Sequence, residues 1–212
     1  MPIAALAAVV VVYSFELIAP GEFLAIRRVR VTEFHWALIA FAGVVLLGTL
    51  KGILVAVVVS LLALAQQEVN PPVYALARKP GSDVFRPISP EHPEDQTWPG
   101  LLLLRAEGRL FFANAQSVAT LMRHLIDAVQ PKVVVLDCSA VIDIEYSALR
   151  MMIEADQNMA RHGVSLWLAA LNPHVLEVVQ KSELGARLGR ERLLFNVERA
   201  VERFEDLSES GA

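Results

Sequence analysis

Apolar and polar positions along the 212 residues follow two different patterns. Met1 to Phe15 carries no charged side chain, and the apolar run continues through Glu16 to Ile18 and Ala19. Its roughly 18 residues would span about 27 Å as a helix, close to a hydrocarbon thickness of about 30 Å. Between Phe34 and Ala65 the only titratable side chains are His35 and Lys51. As one helix, the stretch from Phe34 to Gln66 would measure roughly 50 Å, too long for a bilayer. Gly48-Thr-Leu-Lys-Gly52 supplies the break, because glycine weakens a helix interior and Lys51 seeks a polar surface. The pattern therefore predicts three membrane segments at about 2–19, 33–48 and 51–67, within a first domain of 1–69. Gly48 and Gly52 also match the small-residue pattern of helix dimers, but the lysine between them favours a turn.

Asn70-Pro71-Pro72 ends the last apolar run, and Pro80, Gly81, Pro87, Pro90, Pro93 and Pro99 punctuate the adjoining polar stretch. Residues 70–98 are expected to form a linker with at most an edge strand around Val84 to Ile88. From 99 to 207 the periods alternate. Leu101 to Leu104 and Leu110 to Phe112 read as strand around a turn at Gly108. Val118, Leu121, Met122, Leu125, Ile126 and Val129 recur at helical spacing, with Asn114 as the expected cap and Pro131 just beyond the end. Val133 to Leu136 is an unbroken aliphatic run, as in a strand buried on both faces. A second helix follows from Tyr146 to Gly163 and a second buried strand from Val164 to Ala169. A helix begins at Asn172-Pro173, a short strand covers Leu193 to Phe195, and a last helix starts at Asn196, leaving 208–212 as a tail. Alternating strands and helices imply an α/β domain with a mainly parallel sheet and right-handed crossovers.

Charge sharpens the division. Residues 1–80 hold 6 Lys and Arg against 4 Asp and Glu, and residues 81–212 hold 13 against 19. The hydrophobic content of 55% is concentrated in the first third. No Lys or Arg precedes Ala4 to Val12, which argues against a secretory signal. Arg27, Arg28 and Arg30 before the helical hairpin, and Arg78 and Lys79 after it, place both hairpin ends on the cytoplasmic side. His35 and Trp36 suit the interfacial belt, and Glu16 suits the lipid surface. Cys138 is the sole cysteine, so no intramolecular disulfide forms and the thiol suits a reducing compartment.

The run Val133-Val-Val-Leu-Asp137-Cys-Ser139-Ala-Val141-Ile-Asp143-Ile-Glu145-Tyr-Ser147-Ala-Leu149 resembles the strand, loop and helix signature of STAS domains. Sulfate transporters and anti-sigma-factor antagonists share that module. Pro99 to Arg105, Leu110 to Ala115 and the Leu46 to Leu54 hairpin resemble the transporter branch, the SulP sulfate permeases. The resemblance covers essentially the whole chain. It implies an α/β STAS domain preceded by about three α-helical transmembrane segments, the last gate helices of an anion transporter. In that family the anion sits between opposed half-helices that precede this portion, so transport by these residues alone is not expected. The implied partners are the lipid bilayer, the remaining transporter helices or a second protomer in a homodimer, and a cytoplasmic protein. The implied location is a cell membrane, multi-pass, with the STAS domain cytoplasmic. The alternative is a membrane-tethered STAS interaction module that signals without transport.

The loop after the central strand supplies the regulatory candidates Asp137, Ser139, Asp143, Glu145, Tyr146 and Ser147. Sigma-regulating STAS domains carry a phosphorylated serine where this chain has Tyr146, with Ser147 about 100° further round the helix. Phosphate at a helix N-terminus is favoured by free N–H groups, yet Asp143 and Glu145 would repel it. The simpler expectation is that Asp137, Ser139, Asp143 and Glu145 cap backbone groups. The five histidines show no metal-ligand spacing with Cys138, no glycine-rich phosphate loop occurs, and no catalytic constellation is visible, so neither cofactor nor enzyme activity is expected. Arg187, Arg190 and Arg192 form the densest basic group of the domain. Glu183 and Glu191 accompany them, and a solvated surface is expected there rather than nucleic-acid binding.

Overall fold

The computed structural model describes residues 3–16 and 20–210, in two units divided after Gln66. The described residues of the first unit are helical apart from Arg30 and Gly48: α1 (Ile3–Glu16), α2 (Pro20–Val29), α3 (Val31–Leu47) and most of α4 (Thr49–Val69). The expected continuation of the first segment over 17–19 lies outside the described residues. Arg27, Arg28 and their neighbours, read as a flank, belong to helix α2. By length and composition two stretches suit a membrane crossing, Ile3–Val29 and Thr49–Gln66, while Val31–Leu47 is shorter.

Gly48 separates α3 from α4 with φ at +80°, a conformation that glycine reaches without a Cβ penalty. The two arms then touch at Gly52, where a Cβ would collide with the backbone of Val44. Gly52 thus serves packing within the chain. Outward, Leu46 is 80% and Leu50 84% exposed, and large aliphatic side chains stay uncovered along all the helices of this unit.

The second unit is built on a six-stranded mixed sheet. Its strands are β1 (Val73–Arg78), β2 (Phe85–Pro87), β3 (Leu101–Ala106), β5 (Val133–Asp137), β7 (Ser165–Ala169) and β8 (Leu193–Leu194), in the order β2-β1-β3-β5-β7-β8. The run from β3 to β8 is parallel, and β1 is antiparallel to both its neighbours. A small parallel pair stands apart, β4 (Gly108–Leu110) with β6 (Val141–Ile144), and it carries a register shift at Gly108 and Arg109.

The helices are α5 (Ala115–Val129), α6 (Tyr146–Arg161), α7 (Pro173–Gln180), α8 (Glu183–Leu188) and α9 (Val197–Ser210). Strand alternation divides the core in two. Leu102, Leu104, Val134, Leu136, Leu166 and Leu168 face one core with residues of α5 to α8, such as Val118, Ile153, Val175 and Leu184. Leu101, Leu103, Val133, Val135 and Trp167 face the other with α9, through Val197, Ala200, Val201 and Phe204. Helices therefore cover both faces, as a parallel sheet requires.

Several expectations need correction. Residues 70–98 are not a plain linker: β1 and β2 join the sheet there, and only β2 matches the expected edge strand. The Arg86 guanidinium grips the Asp95 carboxylate at 2.7 Å through two nitrogens and holds that carboxyl below its usual range. Arg78 holds Gln96 at 2.9 and 3.1 Å, and these contacts order the proline-rich turns. Asn114 does not cap α5 with its side chain. It is fully buried, accepts from Phe111 N (3.0 Å) and donates to the carbonyls of Arg109 (2.6 Å) and Glu68 (2.9 Å). A buried amide must satisfy its donors, and here that demand exceeds the pull of a cap. Finally, α9 runs through the expected tail as far as Ser210.

Candidate functional site

The candidate loop follows β5 and crosses β6 to the start of α6. Asp137 closes β5, directly opposite Arg105 of β3 in the parallel register. Its buried carboxylate accepts from Arg105 Nε (2.8 Å) and Nη2 (2.7 Å), and its other oxygen accepts from Ser139 N (2.8 Å). Charge-assisted bonds of this kind fix the loop where it leaves the sheet. Cys138 is wholly buried, and burial pushes its thiol far up, beside the Asp137 charge. That thiol is inert while the domain is folded.

Arg109 on β4 organises the rest. It pairs with Asp143 of β6 at 2.9 Å and with Glu145 at 3.1 Å, while His174 at the start of α7 lies 3.4 Å from Asp143. The expected capping role is therefore met by Asp137 alone. Asp143 and Glu145 bind a guanidinium instead, Ser139 is exposed, and Glu145, which precedes α6, makes no side-chain cap. Asn172 does cap α7, accepting from Val175 N at 2.9 Å, and donates to the Val141 carbonyl at 2.7 Å. The two hydroxyls differ sharply. Tyr146 is 75% exposed, whereas Ser147 Oγ is buried without a hydrogen-bond partner. A kinase could reach the first and not the second without opening the helix start.

Residue types in chain order do not reveal Arg105, Arg109, Asn172 and His174 as members of this cluster. Only strand register and the β4–β6 pairing bring them to the loop. The basic group near α8 also departs from the expected solvated surface. Arg187 and Arg192 clamp Asp156 of α6, which is 1% exposed, at 2.8 and 3.0 Å, so two of those three arginines are structural. Among the described residues no group of three or more His, Cys, Asp or Glu side chains could hold a metal ion.

A mixed, mostly parallel sheet covered by helices on both faces, with a loop anchored by an acidic residue at the end of the central strand, defines a STAS-type fold. A family profile described as STAS domain matches residues 92–203, more than half of the chain, and the chain belongs to that family. Beyond that domain, the chain is 26% identical to "High affinity sulfate transporter 2" of Stylosanthes hamata over 94% of its own length and 32% of that protein. It is 28% identical to a probable sulfate transporter of Mycobacterium tuberculosis over 96% of its length and 36% of that protein. The chain spans about a third of the length of these relatives, matching their C-terminal part. Murine solute carrier 26 family member A9, an anion transporter solved in the inward-facing state, has the same fold over 90% of this chain and 31% of its own, with a TM-score of 0.75 at 17% identity.

Proposed function

We propose that the apolar helices α1, α3 and α4 lie in a cell membrane as gate-region helices of a SulP-type anion transporter, and that residues 67–212 form its cytoplasmic regulatory STAS domain. The observation that carries this reading is the uncovered apolar surface of the first unit. Among the described residues of Ile3–Val29 none is buried, and of Thr49–Gln66 only 11%. In water such a surface would be strongly unfavourable, whereas lipid or further transporter helices would cover it. The alignment supports the same reading, since it runs through both units and into sulfate transporters. Sulfate or a related anion is the proposed cargo.

In this reading the chain regulates and assembles the transporter, and its own residues do not hold the anion. Partners are the other transporter helices, a second protomer, and a cytoplasmic protein that meets the acidic domain. The loop that carries Asp137, Ser139, Asp143, Glu145, Tyr146 and Ser147 is the proposed regulatory element, with Ser139 and Tyr146 exposed on it. Radiolabelled sulfate uptake into vesicles holding only this polypeptide tests the division of labour. Background uptake is expected, and saturable uptake would refute it.

A further inference from the structure

All four methionines after Met1 line one slot in the second unit. It opens between α5 and α6 above β5 and β7, with a volume of about 810 Å³. Val134, Leu136 and Leu166 form its floor, and Met122, Met151, Met152 and Met159 its walls. The four methionines are only partly buried, although their helical spacing aims them at the core. Packing gaps in a domain interior rarely exceed the size of a water molecule, whereas small-molecule sites run from about 300 to 1,000 Å³ with mainly apolar linings. Methionine, unbranched and polarizable, adapts to a flexible hydrocarbon.

The rim adds a charge preference. Arg123 and Lys132 border the slot, are exposed, and make no ion pair among the described residues. The bordering acids are Asp127 and Glu154, and Glu154 has Arg150 beside it in an exposed contact of 3.9 Å. We propose that the slot binds a single-chain amphiphile with a carboxylate head, a free fatty acid, with its tail among the methionines and its head drawn to Arg123 and Lys132. A guanidinium and an ammonium are suited to a carboxylate, and both rim cations are without an ion pair among the described residues.

Photolabelling of the full chain in lipid nanodiscs with a diazirine-bearing palmitate tests this. Adducts mapped by mass spectrometry are expected in 115–129 and 146–161, displaced by palmitate and not by hexadecanol. Ala155→Phe, growing into the slot from a half-buried position, should cut that labelling about tenfold or more while the melting midpoint holds or rises. Should that variant unfold, Arg123→Gln combined with Lys132→Gln changes only exposed side chains and should weaken palmitate competition about tenfold, the effect of roughly one charge-assisted contact. Adducts confined to residues before 70 would mean bilayer partitioning and overturn the proposal. Equal competition by palmitate and hexadecanol, or labelling unchanged in a folded Ala155→Phe, would overturn it as well.

Discussion

Asp156→Ala isolates the clamp that sequence order disguises as a solvated basic patch. The Asp156 side chain is 1% exposed, Arg187 approaches one oxygen at 2.8 and 3.0 Å, and Arg192 approaches the other at 3.0 Å. Removing one partner of a buried ion pair costs about 3–5 kcal/mol, because the remaining charge stays desolvated. Here the arginines are 33% and 27% exposed, so water recovers part of that loss and the lower end, about 3 kcal/mol, is expected. For a unit of this size, that corresponds to a fall of about 10 °C in melting midpoint. Asp156→Asn, which keeps one neutral acceptor, should lose roughly half as much. Tryptophan fluorescence through Trp98 and Trp167, both in the second unit, reports the melt in the full chain. Coupling between Asp156→Ala and Arg187→Ala should reach about 1–3 kcal/mol in a double-mutant cycle. An Asp156→Ala variant within about 0.5 kcal/mol of the parent would refute the clamp and restore the solvated-patch reading.

Other substitutions probe separate parts of the account. Val135→Asp places a carboxylate at a position with 0% exposure on the α9 face and should cost more than about 4 kcal/mol; unchanged thermal melting would contradict the central-strand assignment. Burial, then the contact with Asp83, raises the Glu198 carboxyl above its ordinary range, against the pull of Arg78 at 3.7 Å. The folded state thus binds that proton more tightly than the unfolded chain, so stability falls as pH rises from the usual carboxylate range through the raised value. Glu198→Gln should flatten this slope and stabilise the domain at neutral pH, and an unaltered stability profile in denaturant titrations from pH 4 to 8 would count against it. Gly52→Val drives a side chain into Val44 backbone and should spread α3 from α4, measurable as a longer spin-label distance between the arms; an unchanged distance would refute the close approach. Ser147→Ala removes a buried hydroxyl without a partner and should leave the domain as stable or slightly more so; a loss of more than about 1 kcal/mol would show an uncounted bond.

Much of the fold is legible in residue order, and the failures have identifiable causes. The aliphatic run of β5 and the helical spacing of α5 and α6 declare themselves, because burial on two faces or on one stripe dictates those periods. β1 is hidden by Pro71-Pro72 before it and by the prolines after it, which mark a linker unless side chains such as Arg86 and Asp95 are known to order the turns. β6 is hidden because Asp143 interrupts it, and that carboxylate is held by Arg109 of the neighbouring strand, with His174 beside it. Asp156 stands on a helix as an ordinary acid would, and only the approach of Arg187 on α8 and Arg192 beyond its end makes it a buried anchor. In the last two cases the missing information is a pairing between residues distant along the chain, and in the first a pairing nine positions apart across proline-rich turns. Local spacing carries no trace of it.

The proposed function requires a lipid-embedded helical unit that holds this α/β domain on the cytoplasmic face. The buried Cys138 leaves the parent chain silent to thiol reagents, so a single new cysteine at the exposed Glu91 reports its side of the membrane. With Glu91→Cys expressed in cells, a membrane-impermeant maleimide should fail to label intact cells, label fully after permeabilisation, and find the chain in the membrane fraction. Labelling of intact cells, or recovery of the chain in the soluble fraction without detergent, would contradict the account.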